Sequence, residues 1–242
     1  MGLLAQFLLR LSFGLAVGMA VTSPKLVSSG YFRNHLYVTL GLSTLAALVA
    51  MGISPLLASL AATAAVLSYV GSVCWLYEAK RAGVVMLWLV AACSLIAAWT
   101  GEGPGLLLAV SVVTSGLVLG LTMAAMLLGH WYLNSPGMEL EPLRRLLKLI
   151  AVAVGAQIAV STVGLIGHLR TVDGVSVSWL LFVLLRWSFG LVGVLALVWM
   201  AWQTLKIPNT QSATGILYVA VIGVFVGELT SLLLSAESVF PL

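Results

Sequence analysis

Three charged residues lie within stretches otherwise apolar enough to cross a membrane: Arg10, Arg186 and Glu228. Arg10 and Arg186 come about eight residues into their predicted spans, roughly 12 Å deep, and Glu228 comes ~10 Å from the outer end of the last span. Because a charge at mid-bilayer costs at least ~2.5 kcal/mol, three at one depth should meet inside the bundle. We predict an intramembrane charge cluster with one of two roles. It is either a structural ion pair or an outward-facing site for an anionic head group, a quinone oxygen or a lipid phosphate.

Two histidines form a second candidate site. His35 opens the second predicted span and His130 ends the fifth, so both should lie near the same membrane face. Two histidines on facing helices at one depth can ligate a b-type haem. The alternative is the ordinary composition of a helix end at the membrane interface, where aromatic and polar side chains are common. Haem b or a quinone therefore stays open as a cofactor.

The segment that begins at His130 is the most distinctive polar stretch of the chain. It reads HWYLNSP and is followed by Arg144 and Arg145. It resembles the His-Leu…Pro…Arg segment of eight-span quinol-oxidising anchor subunits of molybdoenzyme complexes, which have both termini outside. This resemblance implies that His130 contacts a quinol.

The two arginines belong to a repeated sequence. Leu8–Leu15, LLRLSFGL, recurs with one substitution as Leu184–Leu191, LLRWSFGL. The next predicted spans open on a shared Leu-Tyr-Val, at 36–38 and 217–219. Since both copies start on the same side of the membrane, we predict a parallel internal repeat of helices 1–2 and 7–8.

Composition places these residues in a membrane protein. Of the 242 residues, 62% are hydrophobic and only 7% are charged, against about 25% charged in soluble domains. Long unbroken apolar runs favour helices, which satisfy their own backbone hydrogen bonds in lipid. We predict an all-α polytopic membrane helical bundle, one integral membrane domain over residues 1–242. Its eight transmembrane helices are expected at about 3–22, 36–52, 55–77, 83–99, 105–132, 148–168, 178–203 and 216–235.

Basic residues predict the direction of the spans. The loops after spans one, three, five and seven hold eight of them, and the loops on the other side hold only Arg170. Under the positive-inside rule, both termini face outward from a bacterial inner membrane. We expect Arg33, Arg144 and Arg145 to form a cytoplasmic basic rim. The net charge of +4 reflects these loops, so we predict no nucleic-acid partner. The eight residues are Lys25, Arg33, Lys80, Arg81, Arg144, Arg145, Lys148 and Lys206.

Signatures of catalysis are missing from the sequence. It has no HExxH, GxSxG or Walker motif, and Cys74 and Cys93 lack the spacing of metal ligands. We therefore expect no catalytic residues and no metal. The function we predict is a non-catalytic anchor or scaffold subunit of an inner-membrane complex, such as a respiratory or other electron-transfer complex. Its partners would be the lipid bilayer and other membrane or peripheral subunits. The alternative is a small-solute or lipid transporter built on the parallel repeat.

Overall fold

The computed structural model describes residues 2–101, 103, 105–135, 137–172, 174–207 and 209–242, which form long helices and, within these ranges, no strand. Seven of the helices, all but α2, are long and apolar enough to cross a membrane. The chain is therefore a multi-pass helical membrane protein. The helices are α1 (Gly2–Ala20), α2 (Ser29–Ala50), α3 (Pro55–Leu76), α4 (Lys80–Thr100), α5 (Leu106–Asn134), α6 (Glu141–Thr171), α7 (Val177–Thr204) and α8 (Thr210–Ala236).

Three helices begin six or seven residues before the predicted spans: α2, α6 and α8. The residues added before each predicted span include polar or charged side chains, so hydropathy detects only the part that follows. Two of these helices carry residues suited to a helix start. Pro142 occupies the first turn of α6, and the side chain of Asn209 accepts a hydrogen bond from the backbone N–H of Ser212 at 2.9 Å. Such caps let a helix continue beyond its apolar stretch.

The helices run alternately up and down in two groups of four. In the first group α1 packs against α2 and α4, and α3 packs between them; in the second, α5 packs against α6 and α8, and α7 against α8. Extensive contact between α1 and α5 joins the groups. We call the end at which α1 begins and α8 finishes the terminal end. The opposite end is the basic end, because the eight basic residues named above lie there, in connecting segments or in the first two turns of helices.

Glycines bring the backbones of two helix pairs into direct contact. A side chain on Gly14 of α1 would overlap the carbonyl of Gly116 and the Cα of Gly120 in α5. A side chain on Gly190 of α7 would likewise meet Gly227 of α8. Small residues at such crossings replace the hydrophobic driving force that lipid does not provide between helices.

The repeated sequence has two different structures. Leu8–Leu15 is regular α-helix and entirely buried, at the centre of the bundle. In α7, residues Arg186–Gly193 form a π-helical segment at the edge, and Val177–Leu185 has no buried residue. The two copies therefore differ in both backbone form and packing.

We predict that Gly14→Val disrupts assembly. The added side chain meets backbone atoms, which cannot rotate away, so a cost of at least ~1–3 kcal/mol is expected from overpacking. The measurement is the melting temperature and the elution profile of the detergent-purified protein. Gly41→Val is the matched control, because a side chain on Gly41 meets nothing within 4 Å. Equal behaviour of the two variants would contradict the α1–α5 crossing.

Candidate functional site: a buried charge network and a terminal-end cavity

An ion pair between α7 and α8 forms the core of the site. The Nη1 atom of Arg186 lies 2.6 Å from Oε1 of Glu228, and both side chains are almost completely buried. Nε and Nη2 of Arg186 have no hydrogen-bond partner among the described residues. Burying the pair is tolerable only because each charge compensates the other.

A serine extends the pair to the other half of the bundle. The hydroxyl of Ser115 in α5 donates a hydrogen bond to Oε2 of Glu228. The same hydroxyl accepts one at 3.2 Å from Nη1 of Arg10 in α1. We call Arg10, Ser115, Arg186 and Glu228 the charge network. Through it, four helices from both groups share one polar centre.

Glycines make the space that the charge network needs. A Cβ atom at Gly190 would lie 3.2 Å from Nη1 of Arg186, and one at Gly227 would lie 3.3 Å from the same atom. Side chains at these positions would therefore crowd the guanidinium group. The π-helical turn that starts at Arg186 adds a residue to the helix repeat here, a form that often occurs at functional sites.

A cavity of about 340 Å³ opens at the terminal end and reaches Arg10. Gln6 lines it one turn above: its Nε2 donates to the carbonyl of Ala98 at 2.9 Å, while its buried Oε1 has no hydrogen-bond partner in the described part of the chain. The other walls are largely apolar and come from α1, the start of α3 and the end of α8. The cavity thus joins a polar floor to a hydrophobic entrance.

The two histidines lie near one another but differ in burial. The His35 ring is buried, 4.4 Å from the ring of Tyr31 and 6.2 Å from that of Trp131, and its Nδ1 lies 2.6 Å from the Tyr31 carbonyl oxygen. His130 is exposed, and its Nδ1 lies 3.4 Å from the hydroxyl of Tyr218. Aromatic rings pack against His35, and haem ligation by this pair stays a prediction. The position of His130 leaves the quinol contact a prediction.

The members of the predicted basic rim lie at the basic end and differ in burial. Arg144 is half-buried and its Nη2 donates to the carbonyl of Leu205 at 2.9 Å, which ties the start of α6 to the end of α7. Arg145 is exposed, and Arg33 is half-buried on α2. Pro136, which belongs to the segment that begins at His130, lies outside the described residues.

The structure thus brings Arg10, Arg186 and Glu228 together. Sequence reasoning missed Ser115. The available signal was its position beside Gly116-x-x-x-Gly120, a stripe that predicts close helix contact. Within the described residues, no group of three His, Cys, Asp or Glu side chains could hold a metal ion.

Comparison with known proteins identified no relative of this chain. No protein-family model, curated protein or solved structure matches this chain. The class that the fold defines, a multi-pass helical membrane protein, therefore rests on its seven apolar helices.

We predict that Glu228→Gln severely impairs folding. The substitution leaves the Arg186 charge buried without compensation, a loss expected to cost about 3–5 kcal/mol. The double variant Arg186→Met, Glu228→Leu removes both charges and should recover most of the stability. Thermal unfolding of purified protein measures both effects, with the exposed Glu237→Gln, one residue past the end of α8, as the control. If Glu228→Gln were as stable as the control and only ligand affinity or turnover fell, the network would not be structural.

Proposed function

We propose that this protein is a non-catalytic anchor or scaffold subunit of a bacterial inner-membrane complex, with both termini outside and the basic end in the cytoplasm. The eight basic residues at one end support this orientation through the positive-inside rule. The resemblance of the segment that begins at His130 to quinol-oxidising anchor subunits supports an electron-transfer complex. The charge network holds the scaffold together.

One observation carries the scaffold proposal: the same sequence is covered in α1 and open in α7. Phe13 is 6% exposed, whereas the equivalent Phe189 is 60% exposed. Leu8 is 5% exposed and its counterpart Leu184 is 61% exposed. A side of the helix that is buried in one copy is therefore free in the other.

The cover in α1 is another transmembrane helix. Phe13 packs with Val90 and Ala91 of α4, while Gly14 faces α5. The side of α7 that carries Gly190 is likewise covered by a helix, because Gly190 packs against Gly227 of α8. The side that corresponds to the α4 contact has none in the described chain. We propose that a transmembrane helix of a partner subunit packs there. We call the surface of Leu184, Ser188, Phe189 and Val192 the α7 face.

A second candidate function is a small-solute or lipid transporter. The observation that favours it is the cavity at the terminal end, where Gln6 and Arg10 form a polar floor under apolar walls. A solute or head group that entered there would reach the charge network through Arg10. The sequence repeat of helices 1–2 and 7–8 also belongs to this candidate, as many transporters are built from repeats.

We predict that a photo-crosslinking residue placed at Leu184 or Phe189 captures one partner protein in native membranes. The control positions are Val66 on α3 and Val152 on α6, which are 61% and 70% exposed. In support, Phe189→Ala should lower the amount of partner that co-purifies, whereas Val66→Ala should not. Equal capture at all four positions would mean non-specific neighbours, and capture at none would contradict the scaffold proposal.

Mild purification separates the two candidate functions. A partner protein that co-purifies in stoichiometric amount, or a cytochrome absorption band in the purified sample, supports the scaffold. A colourless protein that purifies alone and is stabilised against heating by a particular solute supports the transporter, because a ligand that binds the folded state raises its stability.

A further inference from the structure

A groove at the basic end lies between α6 and the last part of α7. Its volume is about 250 Å³, and its walls include Leu147, Ala151, Leu195 and Val198. Lys148 stands at one side, and Trp199 and Trp202 stand at the other. Trp199 is 62% exposed, so the groove lies at the surface of the bundle. Because the charge network and the terminal-end cavity lie elsewhere, neither candidate function accounts for it.

Lys148 gives the groove a positive charge at a defined depth. Its Nζ lies 5.4 Å from the centre of the Trp202 ring, within the range of a cation–π contact. Lys148 comes seven residues after the start of α6 and Trp202 comes two residues before the end of α7. At a 1.5 Å rise per residue, both lie within ~10 Å of a helix end, where lipid phosphates and aromatic belts are found.

Neighbouring cations add to this charge. Arg144 lies one turn before Lys148 on α6, and its bond to the Leu205 carbonyl fixes that arginine beside the end of α7. Lys206 comes directly after Leu205 in the sequence, and its side chain is exposed. Glu141 in the first turn of α6 is the opposing carboxylate nearest in sequence, two turns before Lys148. The surroundings of the groove are therefore net positive.

We propose that this groove binds an anionic phospholipid. Lys148 contacts the head-group phosphate, Trp202 and Trp199 lie beside the glycerol region, and an acyl chain occupies the apolar floor formed by Leu147, Ala151 and Val198. Basic pockets between helices on the cytoplasmic side are suited to anionic head groups. A zwitterionic lipid could fill the same floor but would gain less from the charge of Lys148.

The test uses delipidated full-length protein in detergent, titrated with phosphatidylglycerol and, separately, with phosphatidylcholine. Phosphatidylglycerol should raise the melting temperature and bind measurably by native mass spectrometry. Lys148→Gln should weaken that binding roughly fivefold, the effect of about one basic residue at a membrane surface. Arg145→Gln removes the same charge from an exposed site on the same helix outside the groove, and it should leave the affinity within about twofold.

Two further arms keep the proposal falsifiable. Glycerol 3-phosphate separates recognition of a phosphate from recognition of a lipid, and it should bind far more weakly than phosphatidylglycerol. Ala151→Leu fills the floor while keeping every charge, and it should weaken lipid binding as well. The proposal is overturned if phosphatidylcholine binds as tightly as phosphatidylglycerol, if free glycerol phosphate binds as tightly as the lipid, or if Lys148→Gln and Arg145→Gln have the same effect.

Discussion

The ion pair between Arg186 and Glu228 is the constraint on which the rest of the bundle depends. Neither charge could remain alone at this depth, since an uncompensated ion inside a membrane or a protein core is costly. Ser115 carries the constraint further, because its hydroxyl contacts both Glu228 and Arg10. The positions of α1, α5, α7 and α8 are thereby linked, and a shift of any one helix would weaken a polar contact that lipid cannot replace.

Glycines next to the charge network let its helices approach one another closely. Gly14 follows Arg10 by four residues and Gly190 follows Arg186 by four, so each arginine has a glycine one turn away on the same side of its helix. On the opposite helices, Gly116 is next to Ser115 and Gly227 is next to Glu228. Polar contact and close backbone approach therefore occur together. Without the approach, these side chains would be too far apart to compensate one another.

Depth along the helices could be predicted from the sequence, and it was enough to expect that Arg10, Arg186 and Glu228 meet. The number of residues from a helix end gives depth directly. Which partner each arginine contacts could not be predicted, because that depends on the rotation and crossing of helices. Ser115 joins the network only because the α1–α5 glycine crossing brings it there. The starts of α2, α6 and α8 were also missed, because polar and charged residues near these starts lower the mean hydropathy there.

The repeated sequence shows how strongly surroundings decide local structure. Seven of the eight residues are identical between Leu8–Leu15 and Leu184–Leu191, yet the first copy is α-helical and the second belongs largely to a π-helical segment. Local propensity cannot account for that difference. In α1, helices on several sides hold the regular form, whereas α7 is packed mainly on the side of α8. A wider turn at Arg186 is compatible with this one-sided packing and places the guanidinium group against Glu228. The open side keeps the residue types that a covering helix contacts in α1, and this correspondence within one chain is the physical basis for expecting a partner helix on the α7 face.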